Sequence, residues 1–558
     1  MLKSSIIHHC LTGLTCGFGL LSAVLLQPIP EQNATESYLI QGDDLPAVKA
    51  AVQAVGGKIT HELGIIHAIG ASLTPAQQVT LQTSAAVRQL YANKRVETAK
   101  KKDNTLSTTV ETVDLPTNLS AEPTALISDE SLVTSASLDL QAIDEKATGT
   151  GHVAAVMAHL LQSEGITGAG VTLAVLDSGL ADFSPIKRDS RGTLRTFAQY
   201  DAVTDQELSV WSAPNDDNGH ATHVTSLSMN SDLVTSTGYY RGIAPDAGLV
   251  AVKAFDANGQ GSYADVIRGI DWLVEHKDTY GIRVLNLSFS APPQSHYWND
   301  PLNQAVMAAW QAGIVVVVSA GNLGPDPMTI GVPGNVPYVI TVGAMTDSYT
   351  PDDPSDDQLA RFSSAGPTAE GFVKPDLLAP GGHLVALMND DGQIALEHPE
   401  FHDGGIYFTM SGTSQSTAVV SGVVALMLQA NPSLSPDDVK CRLMATAKGA
   451  RNTDGSPRYS VLQQGAGLVD AYAAVYASDY DCANRGLDIA KDLSGETHYA
   501  GRVRQDESGD FYLETVEGQS MLWSDSMLWS DSMLWSDSML WSDSLTETVG
   551  INVWIPQE

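Results

Sequence analysis

The chain has 558 residues, several times the roughly 100 to 200 of a typical domain, so it can bury a sizeable core in more than one folding unit. Hydrophobic residues make up 43% and charged residues 17%, with 48 Gly and 26 Pro, a loop-rich globular profile that excludes collagen, coiled coil and a disordered chain. Acidic residues outnumber basic ones 65 to 30, and the resulting charge of −35 repels phosphate backbones and anionic lipid, which argues against nucleic acid as a partner.

Residues 1–30 carry one formal charge, Lys3, ahead of an apolar stretch at 11–26 that ends near Pro28 and Pro30. This reads as a secretory signal peptide, with an uncleaved anchor as the alternative, because the apolar run is short for a bilayer span and no second one follows. Secretion is therefore expected, to the medium, the cell surface or a periplasm, with no stable membrane span after cleavage. Two of the four cysteines, Cys10 and Cys16, would leave with the leader, so only Cys441 and Cys482 stay, as a disulfide or as a buried thiol pair.

Residues 38–97 read strand, helix, two strands, helix, strand. Gly56 and Gly57 close the first helix, a tight turn is expected at Gly64, and Thr74 caps the second helix with Pro75 in its first turn. Residues 98–150 are polar and Ser/Thr-rich and open with Lys100, Lys101 and Lys102, the composition of an exposed, cleavable linker. From 152 to 478, short β-branched runs such as VTLAVLD, IRVLNLSF and GIVVVVSAGN alternate with helical stretches. Continuous apolar strands separated by helices predict an α/β fold with a mostly parallel sheet covered on both faces, and ligands belong at the carboxyl ends of its strands. Residues 479–558 read as an acidic tail, in which four uninterrupted MLWSDS hexapeptides at 521–544 hold four of the nine tryptophans. Period-2 alternation would give that array an aromatic face.

Three motifs sit at strand ends or helix starts. In Val175-Leu176-Asp177-Ser178-Gly179 an apolar strand finishes on a carboxylate, which in isolation would be an ordinary turn Asp. In Asp216-Asp217-Asn218-Gly219-His220-Ala221-Thr222-His223 two histidines stand three apart at a helix start. A metal pair is the rival reading, but the zinc-binding helix motif spaces its histidines four apart with a Glu beside the first. In Met410-Ser411-Gly412-Thr413-Ser414-Gln415-Ser416 a serine opens a long apolar helix. Alone it would be a cap, yet the helix start aims N–H groups and a positive dipole end at the hydroxyl's surroundings, which suits a developing oxyanion. Asn322, closing the strand that ends Ser319-Ala320-Gly321-Asn322, adds an amide donor.

Asp177, His220 and Ser414 occur in the order Asp, His, Ser, with Asn322 between the last two, and with these the sequence resembles the subtilisin-like serine peptidases. The likeness continues through Gly242-Ile243-Ala244-Pro245, Lys253, Asn286-Leu287-Ser288 and Lys374-Pro375-Asp376, and is greatest toward the bacterial alkaline serine proteases of the AprX type. It implies a three-layer fold, a secreted, monomeric endopeptidase, and a small α+β inhibitory propeptide at 38–97 that acts on its own chain. His220 would be the general base, Ser414 the nucleophile, Asp177 the group that fixes the imidazole, and Asn322 an oxyanion donor. Substrate backbone would lie between Gly259-Gln260-Gly261 and Ser288-Phe289-Ser290, and Ser319, Ala320 and Gly321 would leave room for a bulky apolar side chain before the scissile bond. No catalytic metal is implied. Relatives often hold structural calcium, for which Asn230 and Asp232 are candidates without a recognisable ligand cluster around them. The chain departs from the family pattern at Ala221, usually Gly, and at Gln415-Ser416-Thr417-Ala418, usually Met-Ala-x-Pro. The altered surroundings of Ser414 leave open a pseudopeptidase that only binds peptide, and the MLWSDS array leaves open a surface-attached protein whose repeat tail is the main module.

Overall fold

The computed structural model describes residues 34–98, 149–212, 215–293, 295–348, 350, 355–506 and 510–513. The predicted leader at 1–30, nearly all of the linker and the MLWSDS array lie outside the described residues.

The apolar runs assemble into one large sheet. Its order is Gln358–Leu359, Ile340–Thr346, Val315–Ser319, Ile282–Leu287, Thr172–Asp177, Gly248–Lys253, Thr196–Asp201 and Gln206–Leu208, and Leu377–Pro380 also pairs with Ile340–Thr346. The pairings are parallel except for the two short strands Gln358–Leu359 and Gln206–Leu208, which run antiparallel to their neighbours. Every residue of Thr172–Asp177 and of Ile340–Thr346 is buried, as continuous apolar strands require when helices cover both faces. The helices Tyr263–Glu275 and Pro301–Gln311 pack on each other and on the sheet, and His220–Met229 and Thr413–Ala430 form a second such pair, completing a three-layer α/β fold. Thr413 to Leu428 are buried without interruption, because this helix is apolar all round and runs through the core rather than along a surface.

Residues 36–92 form a separate four-stranded antiparallel sheet in the order Lys58–Leu63, Ala68–Leu73, Glu36–Gln41, Gln89–Ala92. Asp44 caps the Leu45–Ala54 helix, and Thr74 and Gln77 form a reciprocal capping box on Pro75–Gln82. Strand alternation divides the side chains between two cores. Tyr38, Ile40, Ile69 and Leu73 meet Val48, Val52 and Leu81 of the unit's own helices, whereas Leu39, Leu63, Ile66 and Ala68 join the core of the large domain. The turn expected at Gly64 is instead a 3₁₀ segment, Gly64–Ile66, closed by His67 in the left-handed region at φ 50°. The Gly64 N–H is used across the junction, donating to Asp271 Oδ2 at 2.6 Å on the Tyr263–Glu275 helix.

Structure also continues past residue 478, where the sequence reads as irregular. The Ile489–Ser494 helix and the hairpin of Val503–Gln505 with Phe511–Leu513 belong to the described chain. Asp492 is buried and accepts the Tyr297 hydroxyl at 2.5 Å, the Tyr338 hydroxyl at 3.1 Å and His498 Nδ1 at 2.8 Å. Its partners lie more than 150 positions away in two of these three bonds, so no local pattern announces them. Cys441 and Cys482 form a disulfide across a separation of 41 residues, fastening the start of this extension to the Pro436–Thr446 helix. Closing a loop of that size restricts the unfolded chain by about 4 kcal/mol. Among the described residues no helix is long and apolar enough to cross a membrane.

Candidate active site

Asp177 is the last residue of its strand, and the register with Gly248–Lys253 sets it opposite Lys253, at the carboxyl edge of the sheet. His220 is the first residue of the next long helix, reached through Gly219 at φ 98°, a left-handed conformation that a side chain would strain. The two meet closely: His220 Nδ1 lies 2.8 Å from Asp177 Oδ1 and 2.9 Å from Oδ2, with side chains 4% and 0% exposed. The Ser178 N–H adds a 2.8 Å bond to Asp177 Oδ1, and the Ala254 N–H bonds the Asp177 carbonyl at 2.8 Å. Lys253 reinforces the same edge by donating to the Ser178 carbonyl at 2.9 Å and the Asn215 carbonyl at 2.6 Å.

Ser414 lies in the first turn of the Thr413–Ala430 helix, which packs against the His220–Met229 helix. Its hydroxyl donates to the Ser288 carbonyl at 3.0 Å, and the Ser288 hydroxyl returns a 3.0 Å bond to the Ser414 carbonyl. Asn322 is oriented by the helix start: its Oδ1 accepts the Thr413 N–H at 3.0 Å and the Thr413 hydroxyl at 2.9 Å, which turns Nδ2 the other way. Gly412 makes room for a neighbour in the first turn, since a Cβ there would stand 2.7 Å from Gln415 Oε1.

The second histidine of the motif goes elsewhere. His223 Nε2 is 3.1 Å from the Phe408 carbonyl and Nδ1 is 3.5 Å from Gln415 Nε2, so the ring is a buried structural group. Burial pushes its pKa down to about 3. With His220 and His223 directed to different partners, the metal-pair reading finds no support. No group of three His, Cys, Asp or Glu able to hold a metal occurs among the described residues. The calcium candidates sit in a local turn, where Asn230 Oδ1 accepts the Asp232 N–H at 2.8 Å and Nδ2 donates to Ser226 Oγ at 3.3 Å.

The region between the two predicted substrate segments holds part of the chain itself. The Arg95–Thr98 strand pairs antiparallel with both Gln260–Ser262 and Phe289–Ser290, forming a three-stranded sheet in which Glu97 lies opposite Gln260 and Ser290, Val96 opposite Gly261, and Thr98 opposite Phe289. Ser262, absent from the sequence-derived set, pairs with Arg95. Gly259 stays outside the pairing and shapes the turn at φ 69°. Ser288 faces Ser414 instead. Ser319 Oγ donates to the Phe289 carbonyl at 2.8 Å and a Cβ on Gly321 would stand 3.1 Å from Ser290 Oγ, so these two residues lie against the Phe289–Ser290 edge, with Ala320 buried between them in sequence.

The departures from the family pattern leave the frame continuous. Ala221 fits the helix and donates its N–H to Ser178 Oγ at 3.0 Å. The Thr413–Ala430 helix runs unbroken where the family has a proline, with Thr417 Oγ1 donating to the Thr413 carbonyl at 2.7 Å.

Residues 168–467 match the model of the subtilase family, Peptidase_S8. The chain is 40% identical over 307 residues to serine protease AprX of Bacillus subtilis (strain 168), an alignment covering 54% of this chain and 66% of the relative. It is 32% identical over 328 residues to M-protease of Shouchella clausii, covering 58% and 69%, and 30% identical over 326 residues to subtilisin E of Bacillus subtilis (strain 168), covering 58% and 70%. Among solved structures it resembles fervidolysin from Fervidobacterium pennivorans, described as a keratinolytic enzyme related to subtilisin, with a TM-score of 0.58 at 24% identity over 82% of this chain and 63% of that one.

Proposed function

The chain belongs to the subtilase family, and from that premise we propose that it is a serine endopeptidase acting through Asp177, His220 and Ser414. The observation that carries the reading is the buried imidazole with both oxygens of Asp177 on its Nδ1 side, in a helix packed against the one Ser414 opens. A carboxylate at Nδ1 fixes the tautomer in which Nε2 carries the lone pair, so His220 takes the Ser414 proton as the hydroxyl oxygen attacks a peptide carbonyl. The same proton then passes to the leaving amine, and water hydrolyses the acyl-enzyme. Asn322 Nδ2 and the Ser414 N–H stabilise the oxyanion at the positive end of the helix.

Substrate backbone takes the position of the Arg95–Thr98 strand, adding to the edges at Gln260–Ser262 and Phe289–Ser290. The 38–97 unit is then an intramolecular inhibitor, and the precursor processes itself in the segment that follows. The pairing of the unit's own last strand with both edges supports that reading, as does the burial of Leu39, Leu63 and Ile66 against the large domain. The small residues Ser319, Ala320 and Gly321 favour a bulky apolar side chain before the scissile bond, and the charge pattern of residues 1–30 favours export. The chemistry itself needs no metal.

A fluorophosphonate probe tests the triad: wild-type protein should be labelled at Ser414 and Ser414→Ala should not. The same Ser414→Ala chain, expressed in a host without other secreted proteases, should accumulate with the 38–97 unit still attached. An unlabelled wild type that cuts no peptide would refute the enzymatic reading, and a Ser414→Ala chain trimmed like wild type would refute self-processing alone.

A further inference from the structure

Asp216 stands four positions ahead of His220, and its side chain is buried, with the residue 3% exposed. Its contacts lie on both sides of the Asp177–His220 pair. Oδ1 accepts the Ser178 hydroxyl at 2.8 Å and the Gly219 N–H at 2.9 Å, while Oδ2 accepts the Thr222 N–H at 2.8 Å and the Thr222 hydroxyl at 2.5 Å. The hydroxyls so engaged act as acceptors in turn: Ser178 Oγ takes the Ala221 N–H at 3.0 Å and Thr222 Oγ1 takes the Ala181 N–H at 3.1 Å.

Each of these partners is adjacent to a reacting residue or within a turn of one. Ser178 follows Asp177 and donates its own N–H to that carboxylate, Gly219 precedes His220, and Thr222 lies in the first turn of the same helix. Gly219 occupies the N-cap and has no side chain, so the helix start draws its acceptors from elsewhere: the Thr222 N–H from Asp216 Oδ2, the Ala221 N–H from Ser178 Oγ and the His220 N–H from Asn218 Oδ1 at 3.3 Å. Four donors converge on this buried carboxylate, and each is left unpaired at full desolvation cost if the acceptor goes. The strand that ends at Asp177 and the helix that begins at His220 are 43 positions apart in sequence, and this single side chain ties them together.

We propose that Asp216 is a positioning residue for the reaction, presetting the distance and angle between Asp177 and His220 before substrate arrives. The inference rests on the peptidase reading given above. A carboxylate that merely capped the helix would stabilise the fold without acting through that pair.

The test is a double-mutant cycle on the full chain, measuring turnover of a peptide substrate and the rate of fluorophosphonate labelling. Asp216→Asn keeps volume but sets an NH₂ against the Thr222 N–H, so it breaks the helix side of the tie. It should lower kcat by about 10- to 100-fold, the scale of a small misplacement of a reacting group, with KM within about twofold. In an Asp177→Asn background, where the pairing is already lost, the same substitution should change the residual rate by less than about threefold. Thr222→Val, which removes one donor to Asp216 together with the acceptor of the Ala181 N–H, should show a smaller loss of kcat with the same disappearance in the Asp177→Asn background, and it decides the matter if Asp216→Asn does not fold. Equal factors in both backgrounds, or an unchanged kcat, would overturn the proposal. If the wild type neither cuts peptide nor takes the probe, the peptidase reading falls instead, so the two failures are distinct.

Discussion

Two histidine–aspartate pairs of similar length stand in different regions of this molecule. At the carboxyl edge of the large sheet, both oxygens of Asp177 face His220 Nδ1 at 2.8 and 2.9 Å, with side chains 4% and 0% exposed. At the junction with the N-terminal unit, His61 Nε2 meets one oxygen of Asp265 at 3.0 Å, with side chains 11% and 16% exposed. Asp265 is also engaged by Ser262 Oγ at 2.6 Å and Arg268 Nη2 at 3.1 Å, so its charge is shared among a cap, a cation and an imidazole. Distance alone does not separate the two. A carboxylate whose one side-chain partner is an imidazole in a dry site sets that ring's tautomer, whereas one divided among three side chains at a slightly exposed seam serves as an anchor point.

The sharpest way to break this comparison is to remove the charge from the first pair. Asp177→Asn should leave the fold intact yet lower kcat by about 10⁴-fold, because the amide favours the wrong tautomer of His220. Loss of less than tenfold would place the proton acceptor elsewhere. Next in size is Asn322→Ala. It should cost turnover about 10²- to 10³-fold, the loss known for removing one oxyanion donor, with little change in KM, since the amide bonds a charge present only near the transition state. An equal rise in KM with unchanged kcat would make Asn322 a ground-state contact.

The legibility of these groups in the sequence follows from how locally each is specified. Asp177 closes a strand, His220 and Ser414 lie in the first turn of a helix and Asn322 follows three residues after the Val315–Ser319 strand, each within a short motif, and the continuous apolar runs between them give the parallel sheet. The strands and helices of the N-terminal unit follow from alternation and capping, apart from the Gly64 turn, where a carboxylate 207 positions away takes the N–H. What could not be read are bonds between distant pieces. Asp216 passes for an acidic loop residue until Ser178, 38 positions earlier, is seen to donate to it. Arg95–Thr98 reads as the frayed end of a unit until it is found between strands more than 160 positions later. Asp492 lacks any local sign of burial, because its partners Tyr297 and Tyr338 belong to the large domain.

A smaller effect should appear in acid. Burial holds His223 at about 3 and His152 at about 4, both below the ordinary value of 6.5. The unfolded chain binds these protons at a pH where the folded chain does not, so the stabilisation is complete above pH 6.5 and is lost as pH falls toward 4. Each ring should contribute a slope of up to about 1.4 kcal/mol per pH unit within that window. Urea unfolding of Ser414→Ala, chosen to prevent self-digestion, checks this at pH 7, 5.5 and 4.5. The midpoint should fall in wild-type background and fall less in His223→Gln. A midpoint independent of pH would mean that neither ring is neutral and buried.

The smallest effect should come from the second pair. His61→Ala removes one histidine–carboxylate contact from a junction that also has the Gly64–Asp271 bond at 2.6 Å, the Gln41–Gln304 bond at 2.7 Å, the Asn93 acceptor for the Ala264 N–H at 2.9 Å and a shared apolar core. A pair of this kind contributes about 1 kcal/mol or less, a factor of about five in binding of the N-terminal unit. The lag before activity appears in the full chain should therefore shorten by no more than about fivefold, while kcat of the activated protein stays unchanged, because His61 touches nothing at Ser414. Asp265→Asn should do more, since it also disturbs the cap at Ser262 and the contact with Arg268. If His61→Ala instead changed kcat after the unit had left, the two pairs would be coupled, and the distinction drawn from burial and shared charge would fail.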